Sequence, residues 1–275
     1  MNHNDNNLRI DIEGIISSKN PKLLKVIPRF LINFIKKLIH QKEINKILEN
    51  HGHLKGKPFA SAALGDLGIK YKVHGRDNIN PNGRYMFVSN HPLGGLDGMI
   101  LIEVFGEMFE SVKFVVNDLL MHIEPLRSVF VPVNKYGKQK VDNAKLILDA
   151  YISDAQILYF PAGLCSRLID GEIKDLDWKK NFVNQAIKHG RDIVPVFFGG
   201  KNSSFFYRFA NIRKSLGIKF NYETILLPHE MFRQRNATFD IFIGKPITHE
   251  MILSEGSPAF WSEKLRSEVY NLNRQ

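Results

Sequence analysis

A histidine and an aspartate stand six positions apart in a segment whose composition favours a tight turn. His91 follows the apolar, β-prone run 85–88, and Asp97 precedes the helical run 98–105. The proline and two glycines between them fold the backbone back, because proline fixes its φ and glycine adopts positive φ without steric cost. Such a turn can bring the Asp97 carboxylate to the imidazole, where it fixes the tautomer and stabilises the protonated ring. The pair is therefore a candidate general base with an orienting carboxylate. A turn histidine followed by a helix N-cap is the alternative.

The sequence around this pair alternates between strand-like and helical runs, which is the signature of an α/β domain. We predict a mixed central sheet flanked by helices. In such a sheet, ligands collect at the carboxyl ends of the strands, which is where the His91 turn is expected. The predicted strands are 69–73, 85–88, 113–116, 129–133, 156–160, 193–198 and 239–243, and the predicted helices of this domain are 98–109, 141–153, 177–189, 205–216 and 258–272.

Three segments divide the chain: a polar lead-in at 1–20, a helical segment at 21–68 and the α/β domain at 69–275. In the second segment apolar residues recur every three or four positions, and the opposite face holds cations with no acid before Glu43. This pattern predicts a basic amphipathic helix, which suits the surface of an anionic bilayer. A core-packing helix with a solvated basic face is the alternative. The residues predicted to contact the membrane are Lys25, Arg29, Phe30, Phe34 and Lys36.

The net charge of +10 indicates an anionic partner. Nucleic-acid modules usually carry a basic recognition helix or an aromatic-and-basic strand, and neither pattern occurs, so no nucleic acid is expected. A single cysteine excludes an intrachain disulfide and a cysteine-based zinc site, and we expect no bound metal. No run approaches the roughly 20 apolar residues of a transmembrane helix, and the first residues lack a secretory signal. Membrane contact is therefore expected to be peripheral, on the cytoplasmic side. A basic protein that only binds anionic lipid or nucleic acid is the non-enzyme alternative.

Three further predicted strands end in loops that combine glycine with a cation, at 134–138, 161–167 and 199–201. Exposed backbone N–H groups beside lysine or arginine can hold an anion. A plain turn with a solvated cation explains any one of these loops equally well. Three such loops together with the His91 turn favour a binding site for an anionic substrate.

Residues 90–97, Asn-His-Pro-Leu-Gly-Gly-Leu-Asp, resemble the His-and-Asp motif of the glycerolipid acyltransferases, the lysophosphatidic acid acyltransferase family. The run 159–167 resembles that family's Phe-Pro-Glu-Gly-Thr-Arg-Ser block, and 193–196 resembles its late Val-Pro block. Lys135 falls where the family's second block has a basic residue. The four blocks occur in family order, and an ordered set is far more specific than any one of them.

Three departures from the family pattern concern the site itself. Five residues separate His91 from Asp97, where the family usually has four. Ala162 stands at the acidic position of the third block, and Arg167 falls one place later than the family's arginine. The two glycines of the first motif can absorb the extra residue. The missing carboxylate puts the family's usual acceptor in question.

The resemblance implies an O-acyltransferase that moves a fatty acyl group from acyl carrier protein or coenzyme A to a lysolipid hydroxyl. The acceptor it implies is of the 1-acylglycerol-3-phosphate type, in phospholipid synthesis, with His91 as base and Asp97 as its orienting acid. The implied place is the cytoplasmic face of the inner membrane, with no cofactor beyond the acyl donor. The substrate-binding residues it implies are Lys135, Phe160, Pro161, Gly163, Ser166, Arg167 and Pro195.

Two alternatives concern the chemistry. Similar bacterial proteins acylate amino-acid-containing lipids of the ornithine or glycine type, and Ala162 keeps that acceptor open. Cys165 offers a different mechanism, in which a thiolate first takes the acyl group and His91 is its base. A free cysteine is more often a small buried apolar residue.

Overall fold

The strand that precedes the His91 turn is β2 (Tyr85–Ser89). It lies in the middle of the sheet and is buried along its whole length. Parallel strands covered by helices on both faces have this continuous apolar character. The computed structural model of the chain describes residues 9–19, 21, 26–133 and 141–274.

The strands are β1 Lys70–His74, β2, β3 Val112–Asn117, β4 Phe130–Val133, β5 Gln156–Tyr159, β6 Arg167–Ile169, β7 Glu172–Lys174, β8 Asp192–Phe198 and β9 Thr238–Ile243. Within the described residues, seven of them form one sheet in the order β1-β9-β8-β2-β5-β3-β4, and β6 and β7 form a separate hairpin. The pair β8–β9 is antiparallel, whereas the other neighbours in the large sheet are parallel. The predicted α/β fold with a mixed central sheet is confirmed.

The helices are α1 Ile12–Lys19, α2 Arg29–Leu38, α3 Gln41–His51, α4 Lys57–Asp66, α5 Leu96–Met108, α6 Val141–Ile152, α7 Asn181–Lys188, α8 Ser204–Ser215, α9 Leu227–Arg233, α10 His249–Glu255 and α11 Pro258–Asn271. The predicted helix at 177–189 begins later than expected. Trp178 and its neighbours instead form part of the loop that leads to α7. No helix among the described residues combines the length and apolarity needed to cross a bilayer.

The two faces of the sheet are covered by different helices. Phe87 of β2 faces the core that contains α4 and α5, whereas Met86 and Val88 face the core that contains α6, α7 and α11. This alternation follows from the period of two along a strand. Both faces are therefore sealed, and the ends of the strands are where a site can open.

The basic amphipathic helix predicted in the segment 21–68 is interrupted at His40. Helix α2 starts after Pro28 and ends at Leu38, and α3 follows directly. His40 adopts a left-handed backbone, with φ of 55°. A non-glycine residue in that conformation ends a right-handed helix. The basic helix is thus the short α2, and the second helix turns back toward the domain.

Candidate active site

The His91 and Asp97 side chains are in hydrogen-bond contact, with His91 Nδ1 2.9 Å from Asp97 Oδ2. Asp97 is fully buried in the first turn of α5. Its carboxylate also accepts the backbone N–H of Leu93 at 2.9 Å, of Gly94 at 3.3 Å and of Gly98 at 2.9 Å. Because an ionised carboxylate only accepts hydrogen bonds, Nδ1 carries the imidazole proton and Nε2 keeps its lone pair.

The turn between the two residues depends on Gly94. Its φ is +83°, and a Cβ there would lie 2.7 Å from a side-chain carbon of Leu227. Glycine is suited to such a left-handed position because it has no Cβ to clash. The five-residue loop therefore closes on Asp97 through a backbone conformation that glycine supports.

The imidazole of His91 is held from one side and open on another. Its ring stacks on Phe160 with centroids 3.9 Å apart and planes 19° apart. The His91 side chain is 14% exposed, and no hydrogen-bond partner of Nε2 occurs among the described residues. A ring fixed by packing and by Asp97, with an unpaired Nε2, has the geometry of a general base.

Asn90 holds the His91 turn at the end of β2. Its side-chain amide donates to the Phe198 carbonyl at 3.0 Å, and its carbonyl accepts the Phe198 N–H at 2.7 Å. Phe198 is the last residue of β8, the neighbour of β2 in the sheet. The two strand ends are thereby joined, and the turn leaves the sheet at its carboxyl edge.

Asp175 is a buried carboxylate that sequence reasoning missed. It accepts hydrogen bonds from the backbone N–H of His91 at 3.2 Å, from the Ser166 hydroxyl at 2.6 Å and from Trp178 Nε1 at 2.9 Å. The Ser166 N–H in turn donates to the His91 carbonyl at 2.7 Å. Burial raises the pKa of Asp175. No local motif marks this residue, because His91 is 84 residues away in the chain.

Arg167 is bound inside the chain. One guanidinium nitrogen donates to the Cys165 carbonyl at 2.6 Å, and another donates to Glu223 at 2.7 Å. Arg213 donates to the second oxygen of Glu223, also at 2.7 Å. Glu223 is fully buried and Arg167 nearly so. The predicted role of Arg167 in binding an anion stays a prediction, and in this conformation its fork of donors faces Glu223.

The other predicted substrate-binding residues are spread around the site. Phe160 contacts the catalytic candidate, and Ser166 is buried beside it. Pro161 is buried, and Gly163 is exposed with a φ of +64°. Pro195 lies inside β8 in register with Val88, so it is a buried residue of the sheet. Lys135 and the rest of the loop 134–138 lie outside the described residues.

A cleft of about 490 Å³ opens beside the loop that carries Phe160 and Pro161. Ala162, at the acidic position of the third block, forms part of its wall. Two cations, Lys179 and Lys214, and one carboxylate, Asp177, also line it. Asp177 lies 3.5 Å from Arg266, so the lining keeps a net positive charge. The cleft is therefore suited to an anionic group attached to an apolar chain.

Cys165 is almost fully buried, and burial raises the pKa of its thiol. The Arg167 guanidinium lies 3.0 Å from Sγ, but burial outweighs its effect. A raised pKa disfavours the thiolate that a covalent mechanism requires. Cys165 therefore behaves as a small core residue that packs with Phe206, Tyr207 and Leu226.

One group of described residues offers metal-ligand chemistry, namely Asp192, His249 and Glu250. His249 Nδ1 lies 2.9 Å from Asp192, and Nε2 lies 3.2 Å from Glu250. Asp192 begins β8, opposite the end that carries the His91 turn. The group is thus separate from the site, and the expectation of no bound metal stays a prediction.

The predicted membrane-contact residues divide into three cases. Arg29, Phe30 and Phe34 are exposed on α2. Lys36 forms an ion pair with Glu13 of α1. Lys25 lies outside the described residues. The exposed face of α2 therefore keeps its aromatic side chains, while one of its cations is paired within the chain.

Comparisons with known proteins identify the family. A family model described as Acyltransferase matches residues 14–275. The lyso-glycine lipid O-acyltransferase of Bacteroides thetaiotaomicron is 46% identical over 264 residues, which cover 96% of this chain and 97% of that protein. The lyso-glycine lipid O-acyltransferase of Phocaeicola vulgatus is 44% identical over 264 residues, which cover 96% and 95%. A crystal structure of a 1-acyl-sn-glycerophosphate acyltransferase from Thermotoga maritima is similar over 90% of each chain, with 17% identity and a TM-score of 0.48. The chain belongs to the acyltransferase family whose model it matches over nearly its whole length, and it is an O-acyltransferase.

Proposed function

We propose that this protein transfers a fatty acyl group from a thioester to the hydroxyl of an amino-acid-containing lysolipid of the glycine type. The observation that carries the acceptor is the near full-length identity of 46% and 44% with two lyso-glycine lipid O-acyltransferases. The 1-acylglycerol-3-phosphate acceptor has support at the level of the family alone. Two local features agree with a change of acceptor, since Ala162 replaces the family's acid and Arg167 pairs with Glu223.

The mechanism is direct transfer. His91 Nε2 takes the proton of the acceptor hydroxyl as its oxygen attacks the thioester carbonyl carbon. Asp97 stabilises the imidazolium that forms and keeps the ring in position. When the tetrahedral intermediate collapses, the C–S bond breaks and the imidazolium returns its proton to the leaving thiolate. The products are an ester and the free thiol of acyl carrier protein or coenzyme A.

Substrate binding uses the loops around His91. We assign Phe160 and the cleft beside it to the chain and head of a bound lipid, with Lys179 and Lys214 available to an anionic group. Lys135, Pro161, Gly163, Ser166, Arg167 and Pro195 remain proposed as binding or supporting residues. The exposed Gly163 is assigned to direct contact with the substrate, while the buried Pro195 acts only by shaping the sheet.

The proposed place of work is a membrane surface on its cytoplasmic face. Lysolipid acceptors reside in membranes, and α2 exposes Arg29, Phe30 and Phe34 on one short helix. Exposed aromatic side chains beside cations are typical of helices that lie in the bilayer interface. Binding is peripheral in this proposal, and the acyl donor arrives from the aqueous side.

The test is acyl transfer by the purified full chain from radiolabelled acyl carrier protein and, separately, acyl coenzyme A. The acceptors are lyso-glycine lipid, lyso-ornithine lipid and lysophosphatidic acid. We expect lyso-glycine lipid to be labelled fastest, and His91→Ala to lower that rate by at least about 100-fold. His53→Ala, at an exposed histidine outside the site, is the matched control and should keep the full rate.

The outcomes separate acceptor from mechanism. Faster labelling of lysophosphatidic acid would overturn the glycine-lipid acceptor while leaving the enzyme class intact. Retention of most activity by His91→Ala would overturn the assignment of the base. Absence of transfer from both donors to all acceptors would overturn the proposed function itself.

A further inference from the structure

The segment from α8 to the 3₁₀ turn Tyr222–Leu226 exposes large apolar side chains. On α8 and its C-terminal cap, four of them recur at spacings of four, three and four residues, so they form one stripe. Leu216 is 69% exposed and Phe205 is 64% exposed. The exposed apolar residues of this segment, called here the α8 face, are Phe205, Phe209, Ile212, Leu216, Ile218, Phe220, Tyr222 and Ile225.

The stripe is not the core-facing side of the helix. Phe206, Tyr207 and Ala210 are buried on the opposite side of α8, where they pack against the domain. One apolar face of α8 thus packs against the domain core, and a second apolar face is exposed to solvent. Single exposed apolar residues are common on proteins, but a contiguous patch marks an interaction surface.

The exposed charges of the α8 segment itself have one sign, and the acid Asp177 shares a cleft with Lys214. The stretch 201–229 contains a single carboxylate, Glu223, and that group is buried between Arg167 and Arg213. Its other charged side chains are exposed cations that form no ion pair with any described residue: Lys201, Arg208, Lys214 and Lys219. An apolar stripe bordered by unpaired cations is complementary to an anionic lipid surface.

The helix that carries the α8 face adjoins the end of α2 and the loop beside the candidate active site. Leu38, at the end of α2, packs against the cluster that contains Cys165 and Phe206. His40 Nε2 lies 3.0 Å from His229 Nδ1, which ties the end of α2 to α9. Cys165 belongs to the loop whose Phe160 stacks on His91. The buried side of α8 therefore packs on the loop that carries Cys165 and Phe160, while its exposed face points away from that loop.

We propose that the α8 face docks on an anionic phospholipid bilayer as a second contact beside α2. Two contacts on neighbouring elements determine the orientation of the domain, which a single short helix does not. This orientation places the loop of Phe160 and Cys165 directly behind α8, in the part of the domain next to the membrane where a lipid acceptor resides. The proposal concerns binding and holds whichever lysolipid is the acceptor.

A bilayer fits the face better than a second copy of the chain. A symmetric dimer through this face would bring the cations Arg208, Lys214 and Lys219 of one copy close to those of the other, because an isologous interface pairs a patch with itself. Like charges at such short range repel. Anionic headgroups instead neutralise these cations, and each adds about fivefold to the partition onto the surface.

The first test is co-sedimentation of the full chain with vesicles of phosphatidylglycerol and phosphatidylcholine, and with vesicles of phosphatidylcholine alone. The α8 variant carries Phe205→Ser, Phe209→Ser and Leu216→Ser. The matched control replaces three exposed apolar residues of α10 and α11, in Met251→Ser, Leu253→Ser and Phe260→Ser. Those residues neighbour three acids in the sequence, Glu250, Glu255 and Glu263, and one cation, Lys264, lies over the Phe260 ring, so the local net charge does not favour anionic lipid.

We expect the α8 variant to lose at least tenfold in partition onto anionic vesicles, and the control to stay within about twofold of wild type. Melting curves of the variants verify that both fold. Equal binding by wild type and the α8 variant would overturn the proposal, as would equal binding of wild type to anionic and neutral vesicles. A wild-type dimer that the α8 variant converts to monomer would also overturn it in favour of self-association.

A second measurement does not depend on removing the patch. Phe220→Trp introduces one exposed tryptophan on the α8 face, since Trp178 and Trp261 are buried. Brominated phospholipid quenches only an indole within the bilayer interface. We expect strong quenching on anionic vesicles, and an unquenched Phe220→Trp protein that still co-sediments would overturn the assignment of this face.

Discussion

The His91–Asp97 hydrogen bond and the Arg167–Glu223 ion pair both involve a residue that follows one of two neighbouring strands, β2 and β5. Asp97 and Glu223 are both fully buried, and each receives several donors. In the first pair, His91 Nε2 has no partner among the described residues. In the second, Glu223 has an arginine on each of its oxygens. His91 Nε2 is therefore available for a reaction, whereas both carboxylate oxygens of Glu223 are engaged in contacts within the fold.

This difference separates a reactive site from a support. A buried ion pair is stable only when its desolvation is offset by close hydrogen bonds to every polar atom. The Glu223 cluster meets that condition and joins the loop of Arg167 to α8 and the 3₁₀ turn behind it. In the His91–Asp97 pair one polar atom, His91 Nε2, has no hydrogen-bond partner among the described residues. A polar atom left available in this way is typical of a reactive site. Three substitutions test whether the distinction holds.

The largest effect is expected from Asp97→Asn. An amide offers one acceptor oxygen where the carboxylate serves His91 Nδ1 and three backbone N–H groups. The imidazole then loses its fixed tautomer, and the transfer rate should fall by about 10² to 10⁴-fold. Single-turnover acyl transfer measures this, with Asp77→Asn at an exposed position as the control. A loss of less than fivefold would contradict the assigned role of Asp97.

Glu223→Ala should mainly lower the free energy of unfolding. Removing the carboxylate leaves Arg167 and Arg213 as buried, unpaired cations, and breaking such a cluster costs about 3–5 kcal/mol in the free energy of unfolding. Urea unfolding measures the change. Glu124→Ala is the control, because its 3.4 Å pair with Arg127 is on the surface and should cost about 1 kcal/mol or less. A stable Glu223→Ala protein that has lost transfer would reverse the comparison, since Glu223 would then act in the reaction.

Asp175→Asn should have the smallest effect of the three. Ser166 and Trp178 donate to different oxygens of Asp175, and asparagine has only one acceptor oxygen, so one of the two hydrogen bonds is lost. We expect the free energy of unfolding to fall by about 1.5–3 kcal/mol. Asp170→Asn, at an exposed turn, is the control and should stay within about 0.5 kcal/mol.

The same variant has a signature in pH. Burial raises the pKa of Asp175, so the folded chain retains this proton to higher pH than the unfolded chain. The stability that Asp175 contributes therefore falls as the pH rises from the usual carboxyl range through the raised pKa. Since asparagine does not titrate, the gap between wild type and Asp175→Asn should be widest at the acid end of that window. A gap that widens with rising pH would contradict a raised pKa.

Much of the fold could be predicted because buried strands are continuous apolar runs. All seven predicted strands are present in the large sheet. The order of the strands could not be predicted, since β2 lies between β5 and β8, which come much later in the chain. The three-residue strands β6 and β7 and the short helices α9 and α10 were missed, because each is too short to show a period. Similarly, the basic helical run did not reveal its break at His40.

In the candidate site too, some contacts follow from the local sequence and others depend on the tertiary structure. By itself the sequence determined the His91–Asp97 contact, because a turn of a few residues containing Gly94 is governed by local backbone preferences. Tertiary structure alone decided that Asp175 supports His91 from 84 residues away and that Glu223 takes Arg167 from 56 residues away. It also decided that the stripe on α8 faces outward. Whether a charged or apolar side chain meets solvent or a partner depends on which distant elements pack against it, and the balance of desolvation and hydrogen bonding is settled only there.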